Sequence, residues 1–106
     1  MPYAIEWFGE RIEMPDAPLA LGMRDSTWRN DASPSFTLGW DAEWLDYRIT
    51  LWINSEEGRE LCDGAAYLVE SSDEMGDYTF HYQGDSLEDA LREVGRLKDA
   101  YLASKR

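Results

Sequence analysis

The chain has 106 residues and a mass of 12.2 kDa, with 43% apolar and 30% charged residues, the size and mixture of one compact domain. Twenty-two acidic against ten basic side chains give a formal charge of -12, which argues against direct binding to nucleic-acid phosphates. A lone cysteine, Cys62, and a lone histidine, His81, exclude an intrachain disulfide and any zinc site of the usual Cys and His clusters, so no cofactor or metal is expected.

The elements follow in chain order. Tyr3 to Phe8 is a candidate strand, and residues 9 to 34, with Pro15, Pro18 and Pro34, read as an irregular region. Within that region Asn30, Asp31 and Ser33 can fold back on the backbone as a turn. The alternative is a recognition loop anchored by Trp28 and Arg29. Ser35 to Trp40 offers Phe36, Leu38 and Trp40 at a spacing of two, a strand pattern. Tyr47 to Ile53 alternates in the same way and sends Tyr47, Ile49, Leu51 and Ile53 to a core face with Trp52 on the other.

Residues 54 to 70 read as a loop followed by a strand carrying Ala65, Tyr67 and Val69. The competing reading is a helix capped by Asn54 or Ser55, which Gly58 and Asp63-Gly64 would interrupt. Tyr78 to Gln83 alternates rings with polar residues between two Gly-Asp turns, as a half-buried strand does, with His81 turned away from Phe80 and Tyr82. Last comes an amphipathic helix. Leu87, Ala90, Leu91, Val94, Leu97, Tyr101 and Leu102 recur at spacings of three and four behind a Ser86 and Asp89 capping pair, and Gly95 within it marks expected close packing on a sheet. The expected fold is therefore α+β, an antiparallel sheet of about four strands with a C-terminal amphipathic helix across one face.

The charge is concentrated. Residues 41 to 89 hold fourteen acids and two bases, whereas residues 90 to 106 are net basic. Glu56, Glu57, Glu60 and Asp63 fall in one connection and Asp73, Glu74 and Asp77 in another. Asp41, Glu43 and Asp46 precede the second strand and are expected on the same surface. Such a cluster repels itself, and its use would be to meet a basic surface. Five tryptophans in so small a chain add candidate anchors, with Trp44 and Trp52 nearest the acids.

Other chemistry finds little support. Gly84-Asp85-Ser86-Leu87 matches the GDSL tetrapeptide of a hydrolase family, but no histidine follows it and Ser86 has a sufficient role as a helix cap. Pairs such as Asp73 and Glu74 arise by chance in so acidic a chain, and no calcium loop, phosphate loop or dinucleotide fingerprint is present. The N-terminal stretch, with Glu6, Glu10 and Glu13, lacks the basic start and apolar run of a signal peptide, and no window reaches 18 apolar residues. A cytoplasmic protein without membrane contact is expected.

Short length, high acidity, abundant Trp and no catalytic constellation together look like the small inhibitor proteins of phages and mobile elements, including anti-CRISPR and other DNA-mimic proteins. The resemblance is one of profile over the whole chain, without a shared motif. It implies a non-enzymatic, stoichiometric inhibitor whose acidic patch blocks the basic, nucleic-acid-binding site of a bacterial defence protein. The alternative is an immunity protein that neutralises a basic toxin such as a nuclease, which demands the same charge.

Overall fold

The computed structural model describes residues 3–28, 31–39 and 46–104. It is α+β, and its elements are β1 (Tyr3–Trp7), β2 (Glu10–Met14), α1 (Ala17–Ala20), β3 (Arg24–Asp25), β4 (Ser35–Leu38), β5 (Tyr47–Ile53), α2 (Glu56–Leu61), β6 (Tyr67–Asp73), β7 (Tyr78–Gly84) and α3 (Leu87–Ser104). Strands β3 to β7 form a five-stranded antiparallel meander in chain order, and β1 and β2 form a separate hairpin. The four expected sheet strands are all present, and the short β3 is added at one edge.

One face of the meander carries the core. Phe36 and Leu38 of β4 pair across the ladder with Leu51 and Ile49 of β5, and Leu51 pairs with Val69 of β6. These side chains are buried together with Ala90, Val94 and Leu97 of α3 and with Trp7, Ile12 and Met14 of the hairpin. The period-two pattern of β5 and the helical stripe of α3 thus meet as their spacing demands. Leu91 is only half-buried. Ser86 Oγ accepts from the Asp89 backbone N–H at 3.1 Å, as the sequence pattern implied, and Arg92 pairs with both Glu88 and Asp89 one turn back.

Four expectations need correction. Residues 9 to 34 are not irregular throughout, because β2 returns along β1 through the turn Phe8-Gly9, whose φ angles are 50° and 87°. Both residues are left-handed, as a type I′ hairpin turn requires, yet the first is a phenylalanine, so the usual Asn-Gly signal is missing. The segment after β5 holds a one-and-a-half-turn helix before its strand, so neither reading of 54 to 70 was complete. Ser55 Oγ caps that helix by accepting from Gly58 N at 3.1 Å.

Gly95 is not a point of close packing, since a Cβ there would meet nothing within 4 Å. Gly58 has that role instead, because a Cβ on it would overlap the buried Ser33 hydroxyl. Finally, the ladder between β6 and β7 slips by one residue. Val69 pairs with Tyr82 while Glu70 pairs with Phe80, so His81 is the extra residue of a β-bulge. Tyr82 therefore packs against the core, whereas Phe80 and Tyr78 pass to the opposite face and are exposed. His81 does not face open solvent. Its Nε2 lies 2.7 Å from Ser71 Oγ, and partial burial holds its pKa below the ordinary value, Glu93 opposing and Arg96 reinforcing that effect.

Among the described residues no helix is long and apolar enough to cross a membrane.

Candidate functional site: the uncovered face of the sheet

Among the described residues no helix or second sheet is laid across the face of the meander opposite α3, although Ser35, Thr37, Leu68 and Glu70 on it are buried. Because side chains alternate across a strand, this face receives the even positions of β5 and β6, Arg48, Thr50 and Trp52 with Leu68, Glu70 and Ser72. Ser35 and Thr37 join from β4, and Ser26 Oγ lies 2.9 Å from Ser35 Oγ and 2.7 Å from Thr37 Oγ1. Those hydroxyls satisfy one another. Trp28 rises beside them with 61% of its surface exposed, and Tyr78 (65%) and Phe80 (70%) stand on β7 at the far side.

Trp52 and Glu70 are at the centre. Trp52 sits opposite Leu68, and Glu70 opposite Thr50, which makes Trp52 and Glu70 diagonal neighbours on one face. The indole Nε1–H donates to Glu70 Oε1 at 2.8 Å. Glu70 is 8% exposed, and burial pushes its carboxyl above the ordinary value, the Trp52 hydrogen bond opposing only in part. Among the described residues no cation contributes, although Arg48 stands on the same face.

Two cavities share this pair. One, of about 240 Å³, runs from Trp52 and Glu70 towards Leu61, Cys62 and Leu68 and is mainly apolar. The other, of about 400 Å³, runs from the same pair past the hydroxyl row to Trp28, Asp31 and Tyr78. The Asp31 carboxyl is likewise pushed up by burial. Helix α2 is held at its place by two bonds to the turn before β4 and one to the segment that follows the helix. Ser55 N donates to Ser33 Oγ at 3.0 Å, Ser55 Oγ donates to Ala32 O at 2.7 Å, and Asn54 Nδ2 donates to Ala65 O at 2.8 Å. That anchoring is what sets Leu61 and Cys62 beside Trp52.

The acidic residues singled out from the sequence are placed in two groups rather than one. Glu56, Glu57 and Glu60 are exposed on α2 and Asp63 just beyond it, at the end of the sheet where Ile53 pairs with Tyr67. Glu10 of the hairpin joins them, its Oε1 accepting from Glu56 N at 3.0 Å, and the exposed Phe8 shares their cavity. Asp73, Glu74 and Asp77 lie at the other end, where Tyr47 pairs with Asp73. Six residue steps of β5 separate the two groups, about 20 Å at strand rise. The Asp73 carboxylate closes its own turn by accepting from Met75 N and Asp77 N. Asp46 is half-buried and accepts from the Tyr101 hydroxyl at 2.5 Å, and it belongs to this second end. Asp41, Glu43 and Trp44, like Arg29 and Trp40, lie outside the described residues.

Sequence reasoning placed Trp52 correctly but passed over Glu70, Asp31, Tyr78 and Phe80. For Glu70 the signal was available: once Val69 is assigned to the core, its neighbour in the strand must share the face of Trp52. For Phe80 no signal existed, because a bulge cannot be read from an alternating pattern.

Among the described residues no group of three His, Cys, Asp or Glu side chains is placed to hold a metal ion. No protein-family model matches the chain, no curated protein matches it, and no solved structure matches it.

Proposed function

We propose that this chain is a non-enzymatic acidic binding protein that inhibits a basic, nucleic-acid-binding protein of bacterial defence, and that the partner docks on the uncovered sheet face. The observation that carries this reading is the arrangement of that face. Three exposed rings, Trp28, Tyr78 and Phe80, share the face with Trp52, and an acidic group flanks the face at each end. Exposed rings supply the energetic centre of an interface, while charged rims steer the encounter and select the sign of the partner. Acids at both ends of an aromatic centre complement a basic surface and repel a nucleic acid.

The test is kinetic. The partner is captured from a lysate of the source organism, identified, and purified for binding measurements. Reversal of Glu56, Glu57 and Glu60 to Lys should slow association and flatten its dependence on salt, since the screening length falls to about 8 Å near 0.15 M. Trp52→Ala should instead speed dissociation and keep the salt slope. A partner that is a nuclease toxin would move the assignment to an immunity protein. If reversal of both acidic groups leaves the association rate and salt slope unchanged, the acids are solvated surface and the reading fails.

A further inference from the structure

We propose that the cleft at Trp52 and Glu70 is a binding site for an alkylammonium group, filled by a lysine side chain of the partner. This rests on the reading of the chain as a binder of a basic protein and names the anchor that such a partner inserts.

The geometry is specific to that chemistry. Glu70 is more than nine-tenths buried, and among the described residues its only hydrogen-bond partner is the Trp52 N–H on Oε1. Among the described residues no fully buried side-chain oxygen lacks a hydrogen bond, so the unpartnered Oε2 must reach the cavity surface that Glu70 lines. With so little of Glu70 exposed, that oxygen is poorly hydrated, and a cation brought to it through the cavity recovers part of the cost.

The walls select the kind of cation. A guanidinium is matched best by a carboxylate with both oxygens free for two parallel N–H bonds, and Trp52 already takes one lone pair of Oε1; a compact ammonium is satisfied by Oε2 alone. Trp52 lines the same cavity and adds apolar wall beside the carboxyl. Leading away from the pair, the cavity formed with Leu61, Cys62 and Leu68 has about 240 Å³ of mainly apolar space for an alkyl stem. The adjoining cavity is lined by both Asp31 and Arg48, whose charges offset there, so the ammonium is placed on the Leu61, Cys62 and Leu68 side of Glu70, where among the described residues no cation stands.

The probe is n-butylammonium chloride, titrated into the 15N-labelled protein, with n-butanol as the neutral isostere and sodium chloride as the ionic-strength control. The indole N–H resonance of Trp52 reports directly, because that group donates to Glu70. We expect a saturable shift with butylammonium, at least tenfold weaker binding of butanol, and at least a tenfold loss in Glu70→Gln, which keeps a carbonyl acceptor for the indole. Equal binding of butanol and butylammonium, or an unchanged Glu70→Gln, overturns the site. A second arm fixes the source. A blocked Gly-Lys-Gly peptide should bind at least as well as butylammonium and its norleucine counterpart should not. A cleft that takes the free amine and rejects the peptide overturns the partner-lysine assignment. If the cleft ignores ammonium while reversal of the acids still slows the partner's association, this inference alone fails. Should ammonium bind while those reversals change nothing, the proposed function fails instead.

Discussion

Two helical glycines should respond to the same substitution in opposite directions. In α3, Gly95→Ala places a methyl group in open space and gains helix propensity of about 1 kcal/mol. In α2, Gly58→Ala gains the same propensity, but the new Cβ overlaps Ser33 Oγ and lies 3.0 Å from Asn54 Oδ1. Ser33 is buried and its hydroxyl accepts from Ser55 N, so moving it strands a buried N–H at a cost of about 1–3 kcal/mol. The overpacking itself costs about 1–3 kcal/mol more.

Subtracting the propensity gain leaves a net loss of about 1–5 kcal/mol for Gly58→Ala. An unfolding entropy of about 2.1 cal/mol/K per residue makes each kcal/mol worth about 5 °C in a chain of 106 residues. Thermal unfolding followed by circular dichroism should therefore show Gly58→Ala lower by about 5–20 °C and Gly95→Ala higher by about 5 °C. Adding Ser33→Ala to Gly58→Ala should recover part of the loss, because the overlapping oxygen is gone while Ser33 Cβ still stands at 3.3 Å. Were Gly58→Ala to raise the melting temperature, the packing of α2 on the turn before β4 would be wrong, and with it the placement of Leu61 and Cys62 beside Trp52.

Leu97→Ala, at a buried position of α3, should cost about 2–5 kcal/mol in denaturant unfolding, and the half-buried Leu91→Ala less than that; the reverse order would mean that α3 is rotated. Glu70→Gln should stabilise the free protein at neutral pH. Because burial raises the folded carboxyl above its ordinary 4.5, the folded chain binds the proton more readily than the unfolded one. Stability therefore falls as pH rises from 4.5 through the raised folded value, and Gln removes that fall. Melting curves should show the variant ahead at pH 7 and level with the parent near pH 3. A variant less stable than the parent at pH 7 would show that the Trp52 bond outweighs the desolvation.

What could be read from the sequence was whatever repeats with a period. The spacing of β5 assigned Ile49, Leu51 and Ile53 to the core and Trp52 to the other face, and the stripe of α3 assigned Val94 and Leu97. Features made by single residues were hidden. The left-handed Phe8 concealed a hairpin, the bulge at His81 reversed the sides of Phe80 and Tyr78, and the contact of Gly58 with Ser33 depends on residues 25 positions apart. The two acidic groups were visible as groups, but their separation followed from which strand ends they join. No composition count contains that.

The bulge also bears on how copies of this chain coexist in solution. The meander ends at β3 on one side and β7 on the other, and an outermost strand presents backbone donors and acceptors to which another chain can add. At the β3 margin only two residues are offered, too few for a lasting ladder. At the β7 margin seven are offered, but the extra residue at His81 breaks their regular spacing midway, so an incoming strand could match only one half at a time. Deleting His81 would straighten that margin. It would keep Phe80 opposite Glu70 on the outer face and leave an unbroken, sticky template, and the deletion variant should form fibrils where the parent stays dispersed.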